Sequence, residues 1–184
     1  MRSTAPSAAP DASTHLVSDE NLTRRALLVA RLVLAAIFLL AGISKVQAPS
    51  EFAETVRAFH LMPDPLAAPF ALILPWVEIL AALYLIVGFL GRLAAAATAA
   101  MLLMFIVALL DALITGHTAH PCGCFGSTTN PVITALAGGD TVGWWDVIRD
   151  VILLALALGV AWLGSGALSI DEWVANRRAR AAGE

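Results

Sequence analysis

The chain has 184 residues, 59% of them hydrophobic and 14% charged, with a formal net charge of −3 at pH 7. Soluble globular domains carry about 45–50% apolar and about 25% charged residues. These values and a mean hydropathy of +0.82 therefore argue against a water-soluble domain and predict a protein whose partner is membrane lipid. The acidic pI of about 5.7 gives no support for a nucleic-acid partner.

The N-terminal segment comes first in the chain and looks unstructured. Residues 1–20 are rich in Ala, Ser, Thr, Pro and Asp and show no apolar periodicity, which is typical of a disordered tail. We therefore expect a cytoplasmic tail over residues 1–23, a single membrane domain over residues 24–170, and a second cytoplasmic tail over residues 171–184.

Four apolar stretches follow, and each is long enough to cross a membrane. They cover about residues 26–44, 66–90, 93–110 and 144–168, and a spanning helix needs about 20 predominantly apolar residues. The fourth stretch is the weakest, because its first two turns contain three charged residues. The sequence predicts an all-α fold, a four-helix transmembrane bundle.

Arginine placement predicts the orientation of these helices. Three clusters fall on one side of a four-span protein: Arg24 with Arg25, then Arg92, then the group Arg177, Arg178 and Arg180. Cytoplasmic segments carry the excess of Lys and Arg. We expect a multi-pass protein of the bacterial plasma membrane, with both termini cytoplasmic and with loops 45–65 and 111–143 outside.

The first outer loop contains a predicted short amphipathic helix. Ser50 is a candidate N-cap, and Phe52, Val56 and Phe59 recur at helical spacing to give one apolar stripe. Such a helix can lie flat on the outer membrane surface. The alternative is a connector without a function of its own.

Cys122 and Cys124 are the two cysteines of the chain, and they lie in the second outer loop. Gly123 between them permits the bend that a disulfide at this spacing requires. Strained, exposed disulfides are typically labile or catalytic rather than structural, and an oxidising compartment allows them to form. The pair therefore indicates thiol–disulfide exchange, and His120 could lower the pKa of the Cys122 thiol.

Metal binding is the main alternative for this loop. His117, His120, Cys122 and Cys124 supply four nitrogen or sulfur ligands within eight residues, a donor set that suits zinc or copper. The spacing differs from the usual zinc patterns. A third interpretation is two small residues in a polar loop without chemistry.

Charged side chains inside the predicted bundle form the second candidate site. An intramembrane carboxylate such as Glu78 indicates a function by default and needs a partner. Six charged groups lie in the central or outer part of the predicted bundle, where we expect a buried polar network that either supports the cysteine chemistry or joins the helices. Its members are Lys45, Glu78, Asp111, Asp146, Arg149 and Asp150.

The combined motifs resemble the MauE branch of the DoxX-like membrane proteins. The matching pieces are Gly-Ile-Ser-Lys ending at Lys45, Pro-Trp-Val-Glu ending at Glu78, Cys-Gly-Cys-Phe-Gly starting at Cys122, and Trp145 with Arg149-Asp150. The resemblance implies a four-helix inner-membrane protein in which Cys122 and Cys124 are the redox pair, while Lys45 and Glu78 are intramembrane polar positions. It also implies a thioredoxin-like partner and a disulfide-containing client, such as an amine dehydrogenase of methylamine metabolism.

The expected mechanism is a thiol relay. The Cys122 thiolate attacks a disulfide on an extracytoplasmic partner, and Cys124 resolves the mixed disulfide. Electrons could pass on to a thioredoxin-like protein or, by analogy with other four-helix redox proteins, to a membrane quinone. The alternative function is a non-enzymatic membrane scaffold or a metal-carrying accessory subunit.

Overall fold

The computed structural model describes residues 12–59, 63–116, 141–164 and 177, with side chains from residue 21 onward. Every regular element in these residues is a helix, which confirms the predicted all-α class for this part of the chain. The helices are α1 (Ala12–Gln47), α2 (Pro49–Ala58), α3 (Asp64–Val87), α4 (Gly91–Thr115) and α5 (Trp144–Leu163).

Three of these helices contain segments that are long and apolar enough to cross a membrane. They are Asn21–Gln47 in α1 and the whole of α3 and α4. The backbone of α1 is already helical at Ala12, within the predicted N-terminal tail. The fourth predicted span corresponds to α5, whose first seven residues include Asp146, Arg149 and Asp150. Because of these three charges, α5 is not among the helices that qualify as spans by length and composition. Its membrane crossing therefore stays a prediction.

Small side chains let the helices pack closely around one shared core. Each long helix contributes at least one alanine that is almost completely buried, and small residues at helix contacts let backbones approach each other. Leu34, Leu85 and Leu102 fill the space between them. The buried alanines are Ala35, Ala67, Ala82, Ala95 and Ala157.

Helix α4 packs antiparallel to two neighbours, α3 before it in the chain and α5 after it. Gly88 follows the last residue of α3 and adopts the left-handed conformation (φ 68°) that favours glycine after a helix, and α4 begins three residues later. At the start of α4, Arg92 Nη2 donates a hydrogen bond to the Trp162 carbonyl near the end of α5, at 3.2 Å. At the opposite end, Leu109 of α4 packs in one cluster with Val147 of α5.

Large apolar side chains cover the outside of the long helices. Leu32, Leu72, Leu103 and Ile152 are each more than 40% exposed, and each lies on a different helix. Extended apolar surfaces of this kind are rare on monomeric soluble proteins. Lipid contact explains them, and the chain is a membrane protein.

The short helix α2 exists where the sequence predicted one, but its start and its environment differ. Its N-cap is Ala48, with Pro49 in the first turn and no side-chain capping bond, because proline suits the first helical position and fixes the start before Ser50. The stripe formed by Phe52, Val56 and Phe59 is buried within the protein. The predicted posture, with this stripe in the membrane surface, is therefore wrong: it packs on the core.

Candidate functional site

The centre of the candidate site is a buried ion pair between α1 and α3. Lys45 Nζ donates to both carboxylate oxygens of Glu78, at 2.7 and 2.8 Å, and both side chains are at most 1% exposed. A buried charge is costly unless it is paired and hydrogen-bonded. This bidentate geometry provides such a pairing and fixes the end of α1 against the middle of α3.

Two aromatic rings flank the ammonium group of this pair. Lys45 Nζ lies 5.3 Å from the ring centroid of Phe52 on α2 and 5.3 Å from that of Phe105 on α4. Both distances are within the range of a cation–π interaction, about 6 Å. Lys45 therefore contacts three other helices, α2, α3 and α4, through one atom.

Gly42 brings α1 close enough to α3 for this pair to form. A Cβ atom at this position would lie 2.7 Å from Ile79 Cγ1 and 2.9 Å from the Pro75 carbonyl oxygen. Real Cβ atoms do not approach other atoms so closely, so any other residue would push the two helices apart. The glycine lies less than one turn before Lys45, at the level of Glu78, and sets the distance between the paired groups.

A second charged cluster lies in the first two turns of α5. Arg149 donates to Asp146 Oδ1 from Nη1 at 3.1 Å and to Asp150 Oδ1 from Nε at 3.0 Å. The Gly143 backbone N–H donates to Asp146 Oδ2 at 3.0 Å, which satisfies one of the open donors at the helix start. Both carboxylates are buried, so this cluster faces the protein interior and not lipid.

A cavity of about 20 Å³ lies between the two charged groups. Its polar lining comes from Glu78 on α3 and from Arg149 and Asp150 on α5. The structure thus brings five of the six predicted network residues into two neighbouring groups, Lys45–Glu78 and Asp146–Arg149–Asp150. Their part in thiol chemistry stays a prediction.

Asp111 does not join either group. It is half-buried one turn before the end of α4, and within the described part of the chain no cation lies within ion-pair distance of its carboxylate. Its backbone carbonyl accepts a hydrogen bond from Thr115 Oγ1 at 2.7 Å. Asp111 therefore belongs to the end of α4 from which the cysteine loop leaves.

The predicted cysteine site lies outside the described residues. This applies to Cys122 and Cys124, to His120 as the thiol activator, and to the alternative metal ligand set with His117. The described neighbours are Gly116, which follows α4, and Val142, which is buried against Leu109 just before α5. The loop therefore begins and ends at the end of the molecule that holds Asp111 and Asp146.

Some buried polar residues were not among the predicted site residues. Arg31 of α1 is 1% exposed, and Thr98 of α4 is fully buried while donating to the Ala94 carbonyl at 2.9 Å. Arg31 precedes Lys45 by fourteen residues, close to four helical turns. That spacing places both side chains on one face of α1 and could have identified Arg31 as an inward group.

Comparison with known families identifies the family to which the chain belongs. The family model of Methylamine utilisation protein MauE matches residues 23–163, which include both charged groups and both cysteines. The chain belongs to the MauE family. No solved structure matches it significantly.

Several curated relatives carry the same name, methylamine utilization protein MauE. The chain is 38% identical to the protein from Paracoccus denitrificans over 71% of its own length and 66% of the relative. It is 34% identical to the one from Methylophilus methylotrophus, over 79% of this chain and 70% of the relative. The protein from Methylorubrum extorquens is 35% identical over 67% of this chain and 61% of the relative. The chain thus spans only about two thirds of the length of these relatives.

Proposed function

We propose that this MauE-family protein exchanges thiols and disulfides with extracytoplasmic proteins through Cys122 and Cys124. The observation that carries the proposal is that the segment holding both cysteines leaves α4 and re-enters α5 at the polar end of the helices. Cys122 is six residues beyond Gly116, so it can lie at most about 22 Å from the end of α4. The family match covers the same segment.

The proposed topology has four membrane crossings, and the packing of α5 supports the fourth. Twenty residues of α5 rise about 30 Å, the thickness of the hydrocarbon core. The hydrogen bond from Arg92 to Trp162 holds the end of α5 beside the start of α4. Since α4 is a candidate span, its antiparallel neighbour reaches the same two faces, and both termini are then cytoplasmic at the plasma membrane.

The buried charges of α5 remove the main objection to this fourth crossing. A charged residue facing lipid costs several kcal/mol at the helix centre, but Asp146 and Asp150 are buried within the protein and bound to Arg149. They lie near the predicted outer start of the helix. The lipid-facing positions of α5 are apolar, as Ile148 and Ile152 show.

The chemistry is an exchange of one electron pair. The Cys122 thiolate attacks a partner disulfide, one partner sulfur leaves as a thiolate, and a mixed disulfide forms. Cys124, after losing its proton, attacks Cys122 and releases the second partner sulfur. The chain ends with a Cys122–Cys124 disulfide, and the partner ends with two thiols and has gained the two electrons. For the next cycle the Cys122–Cys124 disulfide takes an electron pair from a reduced thioredoxin-like protein. In the reverse direction, in which this disulfide oxidises two client thiols, the reduced pair passes its two electrons to a thioredoxin-like disulfide or to a membrane quinone.

The names of the relatives suggest the client. They are called methylamine utilization proteins, which fits a role in the maturation of a disulfide-containing extracytoplasmic enzyme such as an amine dehydrogenase. In this proposal the polar groups around Lys45 and Arg149 hold the helix ends that carry the cysteine loop. The relation to the wider DoxX-like group stays a prediction.

Trapping of the mixed disulfide tests the proposal. The Cys124→Ser variant lacks the resolving thiol, so it should accumulate a partner-linked species that reducing agent releases and mass spectrometry identifies. Cys122→Ser is the matched control and should capture little, because the attacking thiol is missing. Failure of both single variants to capture any partner would overturn the relay.

Metal content and the oxidation state of the thiols distinguish the proposed relay from the metal-carrying alternative. Purified protein holding one zinc or copper ion per chain, with thiols that stay unoxidised in cells, would favour an accessory subunit. The proposed relay instead predicts thiols that cycle between reduced and oxidised forms, as mass-tag trapping in cells would show.

A further inference from the structure

The cavity between the two charged groups has the lining of a solvent site within an apolar interior. Glu78 borders it from α3, while Arg149 and Asp150 border it from α5. The remaining wall is apolar and includes Phe38, Leu102 and Leu153, all at most 6% exposed. Two ionic groups on different helices thus face each other across one small space.

The volume of this cavity limits the size of the molecule that it can hold. A volume of about 20 Å³ exceeds the 10–15 Å³ or so that one water molecule requires, and is far below the roughly 150 Å³ of a cavity that binds benzene. The chemistry of the lining also fits water, which needs two to four polar partners.

We propose that this cavity binds a water molecule that bridges the Lys45–Glu78 pair and the Arg149–Asp150 pair. The water can donate one hydrogen bond to each carboxylate and accept one from the Arg149 guanidinium. Buried waters that make about three hydrogen bonds are integral parts of protein structures. This site goes beyond the proposed thiol exchange and does not depend on it.

The bridging water has a consequence for proton movement. It joins the carboxyl groups of Glu78 and Asp150, which belong to separate ion pairs, in one hydrogen-bonded chain. A proton on one carboxyl can pass to the water as the water gives one of its own protons to the other carboxylate. Glu78 is thereby connected to the first turns of α5, at the end of the helices where the cysteine loop begins and ends.

Radiolytic hydroxyl labelling of the full-length protein in lipid nanodiscs tests the water site. Hydroxyl radicals form from bound water and label side chains next to it, so Leu102 and Leu153 should be labelled several-fold faster than Leu34 and Leu85. All four are leucines, which matches them for intrinsic reactivity, and Leu102 at 2% exposure is nearly as shielded from bulk solvent as Leu34 and Leu85. Leu153 is 6% exposed, so its matched comparison is Leu74 of α3, which is also 6% exposed and lies outside the cavity lining. Equal, slow labelling of all four would overturn the proposal.

A variant that fills the cavity provides the second comparison. Ala41 lines the space, and Ala41→Val should lower the labelling of Leu102 and Leu153 to that of Leu34. Ala30→Val adds the same methyl groups to α1 away from the cavity and should leave the labelling unchanged. A folded Ala41→Val protein that keeps fast labelling would contradict the site; if that variant does not fold, the leucine comparison in the unsubstituted protein still decides.

Discussion

At the scale of single residues, Lys45 and Glu78 form a fully buried ion pair that joins α1 to α3. Each group is buried, so neither can turn to water if its partner is removed. Replacing one member leaves an uncompensated charge, whereas replacing both removes the charge altogether. The two kinds of substitution therefore have different expected costs.

Glu78→Gln should destabilise the protein by about 3–5 kcal/mol, because the Lys45 ammonium stays buried without its carboxylate. The Lys45→Met, Glu78→Gln double variant should recover much of this loss. Thermal unfolding in detergent, followed by tryptophan fluorescence, measures both effects. Glu54→Gln, on the exposed side of α2, is the matched control and should change little. A double variant no more stable than Glu78→Gln would contradict the assigned role of the pair.

Gly42→Ala should cost about 1–3 kcal/mol, the typical effect of overpacking. Its new Cβ would meet the Pro75 carbonyl, which belongs to the backbone and cannot move aside like a flexible side chain. Gly159→Ala is the control, because nothing lies within 4 Å of a Cβ there. It should be neutral or stabilising by up to about 1 kcal/mol from helix propensity. The same unfolding measurement separates the two; equal effects would mean that α1 and α3 can separate freely.

At the scale of the elements, α2 acts as part of the core and not as a surface anchor. Its apolar stripe is buried, and its Phe52 ring contacts the Lys45 ammonium. Phe52→Ala should therefore lower stability by about 3–5 kcal/mol, as for other buried aromatic residues, while Glu54→Ala on the opposite face should have almost no effect. If α2 instead lay on the membrane, Phe52→Ala would leave the unfolding temperature unchanged.

The elements also show which features the sequence could predict. Long apolar runs identified α1, α3 and α4 because a membrane span must satisfy its own backbone within one helix. The stripe of Phe52, Val56 and Phe59 predicted the helix α2 but could not distinguish lipid from protein as its neighbour, since both are apolar. Whether protein or lipid covers the stripe depends on where α1 ends, at Gln47, and on the packing of α2 against α3. Both are features of the tertiary structure.

The same distinction applies to the candidate site. Burial of charges within apolar runs was expected from their cost in lipid, and the i, i+3, i+4 spacing placed Asp146, Arg149 and Asp150 on one face. The partner of Lys45 could not be read from spacing, because Glu78 lies 33 residues away. The close approach that Gly42 permits and the cavity beside Glu78 depend on how the helices pack. Neither has a local sequence signal.

At the scale of the whole molecule, the number of crossings decides on which side of the membrane the C-terminus lies. Three crossings would place the C-terminus outside, and four would return it to the cytoplasm. The arginines at the ends of the chain favour four, since Arg24 and Arg25 are exposed at the start of the α1 span and Arg177 follows α5. Lys and Arg accumulate on the cytoplasmic side.

Reporter fusions test this count directly. Alkaline phosphatase fused after Gly116 should be active, because that enzyme matures only outside the cytoplasm. A fusion after Glu184 should be inactive, while fluorescent protein at the same position should fluoresce. A phosphatase fusion in the turn at Leu90 is the inactive control for the cytoplasmic side.

We expect α5 to cross the membrane because it is about 30 Å long and buries its charges against α4 and α1, so lipid meets an apolar surface. An active phosphatase after Glu184 would show that α5 does not cross, and an inactive one after Gly116 would place the cysteine loop in the cytoplasm, where stable disulfides are rare.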